Sequence, residues 1–215
     1  IVFPSIFSLN KIKPLITNIK KILKIENQKF HKIRQEGDII IVETDDPVFT
    51  SSAINTLFGI KRVAIAKQVT NSFDSIVNGI SKVGVDLFLE SERFLIRVEG
   101  HARGFMTKDV EVAATSSLIE KTAKKRIKPG TDEKYDKRLY VYLTKSHAYI
   151  CIYSDEGLEG IPNNSQNKKT ICCVFDELSA VSCLETIKQG FDVKLIVCYS
   201  KDSELLHLVR MVNQI

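Results

Sequence analysis

PVFTSSAINTLFGIKRVAIAKQV, residues 47–69, decides the fold class. Pro47–Phe58 suits a helix, and Gly59 closes it. Ile60–Val69 then alternates apolar and polar residues, the period of a half-buried strand. Working back toward the N-terminus, His31–Glu43 is a strand candidate whose core is Ile39-Ile40-Ile41-Val42, opened by Gly37-Asp38. Before it, Leu9, Ile12, Leu15, Ile16, Ile19 and Leu23 recur at helical spacing with lysines between them. Ile1–Phe3 is a short apolar run ended by Pro4. The order β-α-β-α-β predicts a small α+β domain with its helices on one face of a sheet.

Toward the C-terminus, Ser72–Gly84 restarts a helical pattern through Phe73, Ile76, Ile80 and Val83. Phe94, Ile96 and Val98 alternate in a strand over 94–99, followed by a loop over Gly100–Thr107. Lys108–Lys125 reads as a helix and Pro129-Gly130-Thr131-Asp132 as a turn. Leu139–Leu143 and His147–Tyr153 form a predicted hairpin around Thr144-Lys145-Ser146. Asp155–Lys169 lacks periodicity and reads as a loop or linker. The last fifty residues resemble one fragment of a doubly wound sheet: strand Thr170–Phe175, helix Asp176–Gln189 between the caps Asp176 and Gly190, buried strand Val193–Tyr199 and helix Ser203–Val212. Two strands cannot stand alone as such a sheet.

The chain has 215 residues, with 44 % hydrophobic and 27 % charged. That is ordinary globular composition, and it excludes a disordered, collagen-like or disulfide-stapled chain. No apolar run approaches the roughly 18 residues of a membrane helix, so no membrane partner is expected. The N-terminus lacks the cationic start and clean apolar stretch of a signal peptide, and the chain begins on Ile rather than Met. Five cysteines (Cys151, Cys172, Cys173, Cys183 and Cys198) are an odd number without framework spacing. They favour reduced thiols and a cytoplasmic location.

The net charge is +5, and all of the excess lies early: residues 1–72 hold 11 Lys and Arg against 6 Asp and Glu. Lys121, Lys124, Lys125, Arg126 and Lys128 add a local cationic run in the otherwise balanced middle. A polyanion would feel both regions, although a lysine-rich helix face is by itself more often simply solvated.

Three segments carry a family resemblance across essentially the whole chain, in order: Leu57-Phe58-Gly59-Ile60, then Phe94 to Phe105 with Arg97, His101, Arg103 and Gly104, then Gly157-Leu158-Glu159-Gly160-Ile161-Pro162 with Gln166 and Lys168. Together they resemble the ThiI family, the tRNA sulfurtransferases that make 4-thiouridine and serve thiamine biosynthesis. The resemblance implies an α+β architecture in three parts. These are a ferredoxin-like domain over 1–72, a THUMP RNA-binding domain over 73–165, and a βαβα remnant of a PP-loop ATP-pyrophosphatase domain over 166–215.

The departures bear on activity. Where the family has Ser-Gly-Gly-x-Asp-Ser, this chain has Val174, Phe175, Asp176, Glu177, Leu178 and Ser179. A phosphate-cradling loop needs glycines for close backbone approach, and carboxylates at the helix start repel phosphate. The family's Tyr-Gly-Glu-Ile opening reads Phe3-Pro4-Ser5-Ile6, and the chain ends about one helix past its last strand. No catalytic residue, metal site or bound cofactor is therefore expected. Cys172 and Cys173 point to opposite faces of an apolar strand and read as core, and nothing basic lies near Cys183 to activate it. His31, His147 and His207 are scattered.

Arg97, His101, Arg103, Phe105 and Lys108 are the candidate RNA contacts, widened by Lys121, Lys124, Lys125 and Arg126. Cations bind phosphates, and an exposed Phe or His stacks on an unpaired base. The competing structural reading puts Phe105 in the core and pairs Arg97 with Glu99 or Asp109, leaving Gly157, Gly160 and Pro162 to set backbone conformation. The expected function is to bind the tRNA acceptor end and present it to a separate modifying enzyme. Two alternatives remain open. One is an ATP-dependent sulfurtransferase working through a non-standard loop. The other is a protein-interaction module, such as a homodimer, joined through the remnant's open sheet edge.

Overall fold

A computed structural model describes residues 1–6 and 8–213. Phe7, Gln214 and Ile215 lie outside them, as do the side chains of Leu9 and Ser203. The elements run β1 (Val2–Pro4), α1 (Leu9–Ile25), β2 (Lys32–Glu36), β3 (Ile39–Glu43), α2 (Pro47–Asn55), β4 (Ile60–Thr70), α3 (Phe73–Leu87), β5 (Arg93–Gly100), α4 (Thr107–Lys121), β6 (Lys128–Pro129), β7 (Lys137–Leu143), β8 (His147–Glu159), β9 (Lys169–Val174), α5 (Glu177–Lys188), β10 (Asp192–Val197) and α6 (Asp202–Val212). The chain divides into two compact units, residues 1–63 with 155–215, and residues 64–154. This is a mixed α/β protein, as the alternation of helical and strand periods required.

In the first unit the strand order is β2-β3-β1-β4. Ile12, Leu15, Ile19 and Leu23 of α1 are buried against Val2, Ile40, Ile54, Ile60 and Val63. The lysines between them, Lys13, Lys20, Lys21 and Lys24, are exposed. The single strand expected over His31–Glu43 is a hairpin, β2 against β3, turning at Gly37 and Asp38. Gly37 and Asp38 are turn formers, so they divide that stretch rather than open it.

The segment expected as a linker over 155–169 is strand as far as Glu159. Here the backbone packs where a side chain would otherwise stand. A Cβ on Gly157 would lie 2.2 Å from the Ile60 carbonyl oxygen. Asn55 Nδ2 donates to Asp155 Oδ2 at 3.1 Å and to the Glu156 carbonyl at 3.0 Å, fixing the same segment. The irregular stretch beyond it is also fastened. Lys11 Nζ donates to the Ser165 carbonyl at 3.1 Å, and Asn18 Nδ2 to the Asn163 carbonyl at 3.1 Å.

The same unit carries β9 and β10, paired in parallel register from Lys169 with Asp192 to Val174 with Val197. Helices α5 and α6 cover one face through Val174, Ala180, Cys183 and Leu208. Contrary to expectation the strands are not buried on both sides, and Ile171 (62 %) and Ile196 (41 %) are exposed. Cys172 and Cys173 do face opposite sides. Only Cys172 turns toward the helices, while Cys173 is exposed and so is not core. Cys183 is buried, and burial followed by its hydrogen bond with Cys172 pushes its thiol up to about 11. Thiol labelling of the native protein should therefore modify Cys173 and Cys198 first and leave Cys151 and Cys183 until unfolding. Rapid native labelling of Cys183 would contradict this packing.

In the second unit β8, β7, β5 and β6 are successive neighbours, with β7 antiparallel to β8 and parallel to β5. Phe94, Ile96 and Val98 of β5 point into a core with Ile76, Ile80, Phe88, Val110, Leu118, Leu139, Val141 and Ile150. Helices α3 and α4 pack together over this core, where Gly84 lets Leu118 approach. The helix expected over 108–125 ends at Lys121, and a 3₁₀ turn over Ala123–Lys125 follows.

Candidate nucleic-acid interface

Strand alternation sends Phe94, Ile96 and Val98 inward and so leaves Arg97 on the opposite face of β5. Arg97 pairs with Asp132 and lies 3.9 Å from Glu111 Oε1. The hydrogen bond that it donates to Asp132 holds its guanidinium protonated even more firmly than usual. Glu111 is a buried carboxylate with its own partners: the Val98 N–H donates to it at 2.9 Å, and so does Lys108 Nζ at 2.9 Å. Arg97, Lys108, Glu111 and Asp132 thus line one cleft of about 350 Å³ with their charges largely balanced internally. The partners weighed from sequence for Arg97, Glu99 and Asp109, are not the ones used. Glu99 accepts instead from the Tyr140 hydroxyl at 2.8 Å.

The loop after β5 presents a different chemistry. The His101 N–H donates to the Leu143 carbonyl at 2.9 Å, and the His101 carbonyl accepts from Asn71 Nδ2 at 2.9 Å. Ala102 and Phe105 pack on the core, and Phe105 sets its ring edge-on to Phe73 at 6.0 Å. Between these anchors Arg103 is exposed and makes no ion pair among the described residues, and the His101 side chain is exposed beside it. Phe105 faces the core and His101 faces solvent, so of the two rings only the imidazole is open to a base. Sequence reading missed Asn71, whose single signal was a polar residue directly after a strand.

The cationic run lies at the other end of α4. That helix has 15 residues, so its ends stand about 20 Å apart at 1.5 Å per residue. Lys121, Lys124 and Arg126 are exposed and unpaired among the described residues. Lys125 is used differently: its ammonium donates to the carbonyls of Val85 at 2.6 Å and Phe88 at 3.0 Å. Lys137 adds the Leu87 carbonyl at 3.2 Å, so two cations close the C-terminal end of α3, where orphan carbonyls favour them. Exposed cations of the second unit therefore stand at or beyond both ends of α4, Arg103 beside the His101 ring before it and Lys121, Lys124 and Arg126 at its close.

The start of α5 is occupied by the chain itself. Asp176 Oδ1 accepts from the Ser179 N–H at 2.7 Å, while the N–H groups of Phe175 and Asp176 both donate to Ser179 Oγ at 3.0 Å. The Ser179 N–H draws the Asp176 carboxyl below its ordinary range, and the helix-end amide and His207 do the same for Glu177. His207 Nε2 lies 3.2 Å from Glu177 Oε1. The Phe175, Asp176 and Ser179 amides at this helix start are already engaged, and two carboxylates hold the position. These residues do not fit ATP.

No family model matches the chain. Three curated proteins named probable tRNA sulfurtransferase are similar to it. The one from Methanosarcina mazei is 24 % identical over 191 residues, covering 86 % of this chain and 46 % of its own length. The Methanosarcina acetivorans protein is 23 % identical over 197 residues, covering 89 % and 48 %. The Thermococcus kodakarensis protein is 22 % identical over 209 residues, covering 94 % and 53 %. The chain thus spans about half the length of the curated relatives it matches. Among solved structures, a Pyrococcus horikoshii protein superposes with a TM-score of 0.82 at 20 % identity, covering 94 % of this chain and 66 % of that one. A 4-thiouridine synthetase in complex with RNA and bound ATP superposes at 0.74 and 15 % identity, covering 98 % and 56 %. These two likenesses show the fold.

Proposed function

We propose that this chain, which belongs to the ThiI family, is a tRNA-binding protein of tRNA modification that presents the acceptor end to a separate sulfur-transfer enzyme. The observation that carries this reading is the loop over 101–105, held at both ends, with Arg103 exposed and making no ion pair among the described residues. Lys121, Lys124 and Arg126 extend the phosphate contacts, and His101 supplies a ring for an unpaired base. Arg97, Lys108 and Lys125 act mainly through the ion pairs and helix cap that shape this surface, and Phe105 acts by anchoring the loop.

The order β1-α1-β2-β3-α2-β4, with strands arranged 2-3-1-4, supports reading the first domain as ferredoxin-like. The unit built on α3, β5, α4, β7 and β8 is read as the THUMP domain, and β9-α5-β10-α6 as the PP-loop remnant. The spent amides at Phe175, Asp176 and Ser179 favour the presenter over an enzyme that activates tRNA with ATP. Calorimetry with tRNA and, separately, with ATP and Mg²⁺ tests the choice. The expected result is heat of binding for tRNA and none for ATP. Saturable ATP binding that is lost in Asp176→Lys would overturn it.

A further inference from the structure

We propose that Lys145 is a further phosphate contact and that Asn71 is the positioning residue that joins it to Arg103 in one RNA-backbone subsite. The inference rests on the tRNA-binding reading and enlarges its site. Asn71 follows β4 directly and is 8 % exposed. Its carboxamide nitrogen donates to two carbonyls on different segments, His101 at 2.9 Å and Thr144 at 2.6 Å. Its backbone N–H donates to the Ser146 carbonyl at 3.3 Å. One residue therefore ties the loop carrying His101 and Arg103 to the turn carrying Lys145.

Both tied segments are stiff. The Thr144 N–H donates to the His147 carbonyl at 2.8 Å, and the His147 N–H donates to Thr144 Oγ1 at 3.1 Å, closing the turn. A Cβ on Gly100 would lie 2.2 Å from the Leu143 carbonyl oxygen, so the root of the loop lies directly against the end of β7. Lys145 stands exposed at the turn between these bonds and makes no ion pair among the described residues. Two carbonyls converging on one nitrogen need a group with two N–H bonds, and among neutral side chains of this size only a carboxamide offers them.

Asn71 Oδ1 is buried without a hydrogen-bond partner among the described residues. An unpaired buried oxygen costs stability. The residue therefore holds the two segments at a cost, which fits a role in placing them rather than in raising stability. With the segments fixed, the guanidinium fork of Arg103 and the point charge of Lys145 reach one run of phosphates without paying to order themselves first.

The test measures tRNA affinity as a function of salt, alongside thermal unfolding. Lys145→Ala should weaken binding about fivefold and make the logarithmic salt slope shallower by about one. Arg103→Ala should cost at least about threefold less in an Asn71→Ala background than in wild type, because the positioning is already lost. Lys124→Ala, at the far end of α4, should cost the same in both backgrounds. Asn71→Ser keeps one donor and replaces Asn71→Ala if the latter fails to fold.

Unchanged affinity and slope in Lys145→Ala would overturn the contact. An equal cost of Arg103→Ala in both backgrounds would make Asn71 merely structural. A wild-type protein that binds no tRNA at low salt would instead sink the function reading itself, and this subsite with it.

Discussion

Replacing Arg103 and Lys124 together by glutamate should lower tRNA affinity about a hundredfold at low salt. Each reversal removes one charge-assisted contact and adds repulsion, about 1.4 kcal/mol apiece, and tenfold per such step compounds to that figure. Arg103 lies in the loop before α4 and Lys124 in the turn after it, the two share no partner among the described residues, and they should act independently. Neither makes an ion pair among the described residues, so the double variant should unfold at the wild-type temperature. Reversing Lys125 is the informative contrast. Its ammonium closes α3 at Val85 and Phe88, so Lys125→Glu should lower the melting temperature. Filter binding or anisotropy with total tRNA gives the affinities, and calorimetric scanning gives the unfolding.

Gly157→Val should destabilise the protein by about 2–3 kcal/mol, a drop of roughly 5–10 °C in Tm. The position leaves no room, because a Cβ there would meet the Ile60 carbonyl oxygen at 2.2 Å and the carbonyl carbon at 2.8 Å. Both atoms are backbone, so β4 and β8 must move apart to admit it. Asn55, which binds Asp155 and Glu156, would lose its partners in the same shift. Gly157→Ala should do the same to a smaller extent. Wild-type stability in Gly157→Val would mean that β8 does not approach β4 as described.

That residue also marks the limit of what the sequence discloses. The alternation of Phe94, Ile96 and Val98 was sufficient to place β5, and the spacing of Ile12, Leu15, Ile19 and Leu23 to place α1, because periodic burial writes itself into residue type. Asp155–Glu159 is strand without that periodicity. Its glycine serves close backbone approach and its polar residues bind Asn55, so neither leaves an apolar signature. The uncovered face of β9 and β10 was illegible for a related reason. Ile171, Cys173 and Ile196 are as apolar as the residues behind them, and composition cannot say which side is covered.

The candidate site divides along the same line. Which residues were cationic was plain, but how each charge is used depends on tertiary partners. Arg97 meets Asp132 from 35 positions away, and Lys125 meets Val85 from 40. Asn71 reaches Thr144 across 73 residues. Only the structure separates these engaged side chains from Arg103, Lys121, Lys124 and Arg126.

The most direct measurement is the affinity of the wild-type chain for tRNA across a salt series. With at least Arg103, Lys121, Lys124 and Arg126 engaging phosphates, each releasing about 0.9 counterion, affinity should fall at least about a hundredfold between roughly 50 and 200 mM salt. The Arg103→Glu, Lys124→Glu variant should show a slope shallower by about two. Affinity that stays flat across that range, or a slope identical in the two proteins, would contradict a surface that holds RNA through these side chains.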